Sequence, residues 1–130
     1  DSKNIKIHSE IEDNIFIIGD ETMIMRVFVN LISNAINYGR ENGNIWIKLT
    51  QDKNFAICKI IDDGIGIEKE NIPKIWGRFY QVESSRTTEN LGLGLSMVKW
   101  IIEAHKGEIY VESEIGKGSS FIFKLKKEVK

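Results

Sequence analysis

Between Asn44 and Thr50 the chain changes side at every residue, and this pattern, with the strand that returns after it, constrains the fold most. Ile45, Ile47 and Leu49 alternate with Trp46, Lys48 and Thr50. Gln51-Asp52-Lys53-Asn54 is a polar turn, and Phe55 to Ile61 returns. An alternating strand, a short polar turn and a returning apolar strand predict a β-hairpin. A second hairpin follows later, with strands over Glu108 to Ser113 and Ser119 to Leu125 joined by Ile115-Gly116-Lys117-Gly118.

The segments around the hairpins have a different period. Asp20 is a good N-cap, and Ile24, Phe28, Leu31 and Ala35 keep helical spacing as far as Tyr38. Gly39 is placed to end that helix in a left-handed cap. Gly92 to Lys106 reads as a second helix, with Leu95, Val98 and Ile102 on its core face and Gly107 as C-cap. Before the first helix, Ile5 and Ile7 alternate with Lys6 and His8, a half-buried strand, and Ile15 to Ile18 reads as another short one. Glu68 to Tyr80 reads as short helical pieces broken by Pro73 and Gly77, and Glu83 to Asn90 as a mobile polar loop. Hairpins interrupted by helices predict an α/β two-layer sandwich: one mixed, mostly antiparallel sheet with helices on one face.

The chain has 130 residues, enough for one domain with its own core, and no linker or repeat divides it. Its 18 Lys and Arg against 19 Asp and Glu argue against nucleic acid as a partner, which favours a basic surface. Cys58 is the only cysteine, which excludes an internal disulfide and a cysteine-based zinc site. No apolar run approaches the roughly 20 residues of a membrane span.

Three clusters of residues invite chemistry. Asn30, Asn34 and Asn37 share one face of the first helix. Asn is a poor helix former, and two readings stand: a solvated face, or amide oxygens that suit Mg²⁺ without adding charge beside a phosphate. Asp62-Asp63-Gly64-Ile65-Gly66-Ile67 leaves an apolar strand. It is either an ordinary polar turn or a place where a carboxylate meets an exocyclic amine and backbone approaches a flat ligand. Gly92-Leu93-Gly94-Leu95-Ser96 opens a helix, where bare N–H groups favour phosphate, although Met97 excludes a dinucleotide fingerprint. Gly116-Lys117-Gly118 lacks the Ser or Thr of a P-loop and reads as a tight turn. His8 falls among charges on an edge strand, a solvated position. His105 falls in the last turn of a helix, where a cation is favoured and a structural role fits.

Taken in order, Asn30-Leu31-Ile32-Ser33-Asn34-Ala35, Asp62-Asp63-Gly64-Ile65-Gly66-Ile67, Trp76-Gly77-Arg78-Phe79-Tyr80 and Gly92-Leu93-Gly94-Leu95-Ser96 closely resemble the N, G1, F and G2 boxes of bacterial sensor histidine kinases. Glu103 to Glu108 and Gly116 to Phe121 extend the resemblance to almost the whole chain. It implies the Bergerat fold and, over residues 1–130, a single ATP-binding catalytic domain cut from a longer sensor. The implied activity is transfer of the ATP γ-phosphoryl group to a histidine on a separate helical domain, with a response regulator downstream.

The resemblance also implies roles by position. Asn34, assisted by Asn30, would hold Mg²⁺. Tyr38 would stack on adenine and Asp62 would accept its amino group. Gly64, Gly66 and Ile67 would border the base. Phe79 would anchor the 83–90 loop as a lid. Asn37 would sit beside the phosphates, with Gly92, Leu93, Gly94 and Leu95 presenting the helix N-terminus to them. Related ATPases that activate water carry a Glu at the position of Asn30, so the kinase reading is favoured over an ATPase or nucleotide-sensing module. Asn37 stands where the family usually carries Lys or Arg, and Arg40, Arg78 and Arg86 are the candidate replacements. Gly39 replaces a usual Thr or Ser, and Glu89-Asn90-Leu91 stand where glycine-rich residues usually precede Gly92. Neither histidine has the acidic neighbour and hairpin context of a phosphoacceptor. The resemblance therefore implies ATP or ADP and the acceptor domain as partners, and a cytoplasmic location.

Overall fold

Asp20 starts α1 (Glu21–Asn37), its carboxylate accepting the Met23 N–H at 3.0 Å. In the computed structural model the remaining elements are β1 (Lys6–Ile11), β2 (Asn44–Gln51), β3 (Phe55–Asp62), a 3₁₀ turn (Lys69–Lys74), α2 (Gly94–Ala104), β4 (Glu108–Glu114) and β5 (Gly118–Lys126). The structure describes residues 3–77 and 94–127.

The strands form one sheet in the order β1-β2-β3-β5-β4. Both hairpins are antiparallel and β3 pairs antiparallel with β5, whereas β1 runs parallel to β2. That parallel pair needs a crossover, and α1 supplies it. The sheet is thus the mixed, mostly antiparallel one expected. Val27, Leu31 and Ala35 of α1 and Val98, Ile101 and Ile102 of α2 are buried. They join Ile45, Cys58, Ile60, Phe121, Phe123 and Leu125 of the strands in one core.

Some sequence expectations give way. β1 is exposed along its whole length, with Ile7 53% accessible, because it is the edge strand and only Ile5, just before it, reaches the core. The Ile15 to Ile18 strand is reduced to one bridge, Ile17 to Lys127. Pro73 lies inside the 3₁₀ turn rather than breaking a helix. Gly39 is not left-handed; α1 closes on Tyr38 at φ −100° and ψ 5°. After α2 the left-handed residue is Lys106, at φ 61°, one place before Gly107. Gly107 N–H bonds the Ile102 carbonyl at 2.9 Å, completing the helix-ending motif. A Cβ on Gly107 would stand 2.2 Å from the Lys124 carbonyl, so contact with β5 requires glycine there.

Candidate nucleotide site

The register of the sheet sorts its helix-facing side into rows. Leu49, Cys58, Phe123 and Ile109 form one row, and Ile47, Ile60, Phe121 and Val111 the next. The following row is Ile45, Asp62, Ser119 and Ser113, where the apolar layer gives way to polar side chains. Burial pushes the Asp62 carboxyl up to about 6, against backbone N–H groups of Gly64 and Ser119 that favour the charged form. Asp62 is 5% exposed.

Asp63 faces away from this row. Its Oδ1 accepts the Asn44 N–H at 2.8 Å and its Oδ2 the Asn44 amide at 3.1 Å. Burial pushes its carboxyl up, but those bonds and the Arg40 guanidinium outweigh it and hold Asp63 below its ordinary range. The Asn44 side-chain oxygen in turn accepts from His8 Nε2 at 2.9 Å, and the His8 ring stacks on Trp46. His8 is thus exposed, as expected, with one hydrogen bond and one ring contact to β2.

The loop after β3 folds back on its surroundings at very short range. A Cβ on Gly64 would lie 2.1 Å from the Tyr38 carbonyl, and one on Gly66 would lie 2.2 Å from that of Glu114. The two glycines therefore seat the loop between the end of α1 and the β4–β5 turn. Ile65 N–H bonds the Tyr38 carbonyl at 3.1 Å, and Ile67 N–H bonds Ser113 Oγ at 2.8 Å. Ser113 Oγ also lies 2.7 Å from Ser119 Oγ and donates to the Gly118 carbonyl at 2.9 Å. Sequence reading did not single out Ser113 and Ser119. Their inward places in two alternating strands, opposite Asp62, are the feature that marks them. Arg40 bonds the Gly116 carbonyl, so its guanidinium serves this loop cluster.

The amide stripe of α1 faces a pocket of about 180 Å³. Val29, Asn30, Ser33, Asn34 and Asn37 line one wall, and Gly94 and Leu95 from the first turn of α2 line the other. Asn30, Asn34, Asn37, Gly94 and Leu95 thus meet in one cavity. Tyr38, Asp62, Gly64, Gly66 and Ile67 lie outside it and are joined to it through the Tyr38 backbone. Phe79, Gly92, Leu93, the 83–90 segment, Arg78 and Arg86 fall outside the described residues.

Residues 19–129 match the family of histidine kinase-, DNA gyrase B- and HSP90-like ATPases. The chain belongs to that family. Its relatives there are sensor histidine kinases. It is 38% identical over 128 residues to the sensor histidine kinase YclK of Bacillus subtilis, covering 96% of this chain and 27% of YclK. Over 109 residues it is 41% identical to the sensor histidine kinase RppB of Synechocystis, covering 82% of this chain and 24% of RppB. The chain spans about a quarter of the length of these relatives. Its fold matches the mycobacterial sensor histidine kinase MprB with a TM-score of 0.86 at 25% identity, covering 98% of this chain and 86% of that one. The catalytic domain of the histidine kinase ThkA matches with a TM-score of 0.82 at 32% identity, covering 97% and 81%. ThkA in complex with the response regulator protein TrrA matches at 0.80 and 30% identity, covering 98% of this chain and 35% of that one.

The donor set of this family member fits a nucleotide with magnesium. The cavity wall carries neutral amide oxygens, hard ligands of the kind Mg²⁺ takes alongside phosphate oxygens and water. The buried carboxylate at the end of β3 stands apart from those amides, so an amine-bearing group and a polyphosphate would meet different donors. No helix among the described residues is long and apolar enough to cross a membrane. Cys58 is buried in the core and its thiol is pushed up to about 12 by desolvation, so it offers no nucleophile.

His105 sits at the far end of α2 from this cavity. Its Nδ1–H donates to the Ile101 carbonyl at 2.8 Å, and its Nε2 accepts the Asp20 N–H at 3.1 Å. The ring therefore ties the end of α2 to the start of α1, the structural role expected of it.

Proposed function

We propose that this domain binds Mg-ATP and donates the γ-phosphoryl group to a histidine on a separate helical domain. The observation that carries the reading is the cavity in which three amides of α1 face the opening turn of α2. Asn34, with Asn30 one turn earlier, holds the metal. Bound there, magnesium supplies charge neutralisation on the phosphates. Asn37 and the N–H groups that open α2 orient the phosphate chain. Asp62 accepts the adenine amino group, Tyr38 stacks on the ring, and Gly64, Gly66 and Ile67 border it.

In the transfer, a nitrogen of the acceptor imidazole forms the new bond to phosphorus while the bond to the ADP oxygen breaks. These residues hold that geometry rather than exchange protons. Asn30 has no acid–base capacity, so this chain carries no general base for water at that position. This favours the kinase over the ATPase reading. A response regulator then takes the phosphoryl group from the acceptor, and ATP supply assigns the domain to the cytoplasm.

The test is incubation with γ-labelled ATP, with and without a histidine-bearing helical hairpin from a sensor kinase. Acid-labile label is expected on the hairpin only. Label released as free phosphate at the same rate with or without the hairpin would favour the ATPase reading. A competition arm with GTP, whose ring carries a carbonyl where adenine has the amino group, is expected to show little displacement of ATP.

A further inference from the structure

α1 ends without a basic residue in its last turn. The last four carbonyls of a helix need donors from elsewhere. Tyr38 N–H and Gly39 N–H serve Asn34 and Ile36, and Lys3, far away in sequence, adds donors at and just beyond this end. Its Nζ donates to the carbonyls of Ile36 at 3.0 Å, Asn37 at 2.7 Å and Gly39 at 3.3 Å. The carbonyl between them, that of Tyr38, accepts from Ile65 N–H at 3.1 Å. Every carbonyl from residue 36 to residue 39 is therefore held, by one ammonium, by the loop after β3 and, at Ile36, also by Gly39 N–H at 3.2 Å. A positive charge at a helix C-terminus is also favoured by the helix dipole.

The backbone around Lys3 is seated as firmly as its side chain. The Lys3 carbonyl accepts from Asn42 N–H at 2.7 Å, and Lys6 N–H bonds the Gly43 carbonyl at 3.0 Å. Between them, Ile5 packs so close to Gly39 that a Cβ there would stand 2.9 Å from Ile5 Cδ1. The segment before β1 thus wraps the end of the helix from which Asn37 and Tyr38 project. Asn30 and Asn34 lie further back, where the helix's own hydrogen-bond ladder holds the backbone.

We propose that Lys3 is a positioning residue for the nucleotide: its ammonium fixes the 36–39 backbone and thereby the Asn37 and Tyr38 side chains. This rests on the nucleotide-site reading given above. It assigns Lys3 to the base and phosphate contacts and leaves the metal contacts of Asn34 independent of it.

The experiment titrates ADP, with and without Mg²⁺, into wild type, Lys3→Met and Lys3→Arg, well below their melting transitions. Lys3→Met is expected to bind ADP about three- to tenfold more weakly, the range for losing charge-assisted hydrogen bonds that act at one remove. The ratio of affinities with and without Mg²⁺ stays as in wild type, and Lys3→Arg restores binding to within about twofold, because guanidinium donors also reach carbonyls. If Lys3→Met does not fold, Lys3→Gln replaces it in the comparison. Equal ADP affinity in wild type and Lys3→Met, or a loss that Lys3→Arg leaves unrestored, overturns the positioning role while the nucleotide site stands. Absence of ADP binding by wild type overturns the site itself and the role of Lys3 with it.

Discussion

Asp63 spends both carboxylate oxygens on Asn44, at 2.8 Å to its backbone N–H and 3.1 Å to its side-chain amide. Its neighbour Asp62 points the other way, into the polar row with Ser119 and Ser113. One carboxylate pins β3 to the start of β2. The other is left buried, with Gly64 N–H on Oδ1 at 2.9 Å. Two adjacent acids thus divide into one that ties two strands together and one that we propose meets the nucleotide.

Asp62 should trade stability for binding. Its pKa is raised from 3.8 to about 6 by burial. Folding therefore favours the protonated form, and the stability this gives at low pH is lost as pH rises through that interval. Asp62→Asn carries no charge, so at neutral pH it is expected to melt no lower than wild type. That advantage should shrink as pH falls from about 6 to about 4. Nucleotide affinity should be lost in the variant. In wild type it should weaken below about pH 6, where the acceptor is protonated. Thermal melts across this interval check the first expectation, and a pH-independent difference would contradict it.

The two glycines of the β4–β5 turn should respond differently to alanine. Gly116 has φ +84° with open space around it, so Gly116→Ala is expected to cost only about 1 kcal/mol of left-handed strain. Gly118 has φ +105°, and its Cβ would stand 2.0 Å from the Asp62 carbonyl. Gly118→Ala combines backbone strain with overpacking and is expected to cost about 3 kcal/mol or more. Urea denaturation of both variants decides this, and similar midpoints would contradict it.

The seam between the helices is the next test. Asp20 caps α1 with its side chain and bonds His105 with its backbone. Asp20→Ala is expected to cost about 1 kcal/mol through the cap alone. His105→Phe should cost a similar amount, about 1 kcal/mol, through its lost hydrogen bonds. Neither should change nucleotide affinity, because α2 carries His105 about 16 Å from Gly94 at 1.5 Å per residue. For the same reason His105 is not expected to take label from ATP within one molecule. Loss of affinity in either variant, measured with the protein folded, would place the seam in the site.

The sequence made α1 legible through Asp20 and the spacing of Leu31 and Ala35, and both hairpins through their period of two. Those signals are local. The pairing of β1 with β2 is not, since nothing in Lys6 to Ile11 specifies a parallel neighbour on the far side of a helix, and the half-buried reading of β1 failed with it. The amide stripe at Asn30, Asn34 and Asn37 could be placed on one face from spacing alone. That Gly94 and Leu95 close the same cavity depends on the antiparallel packing of α2 on α1. The helix ends misled for a physical reason. Gly39 and Gly107 are glycines because Ile5 and the Lys124 carbonyl crowd them, not because the chain turns left-handed there. Lys3 gave no sign, because a lysine that caps a helix from so far away looks like any exposed lysine.

The proposed site needs magnesium, through Asn34, to hold the nucleotide in the cavity between α1 and α2. The most direct measurement is calorimetric titration of a non-hydrolysable ATP analogue into wild type and Asn34→Ala, each with Mg²⁺ and with EDTA. Wild type should bind more tightly with Mg²⁺ than without it, and Asn34→Ala should bind with the weaker affinity in both conditions. Equal affinity of wild type with and without Mg²⁺, or no binding in either, would contradict the account.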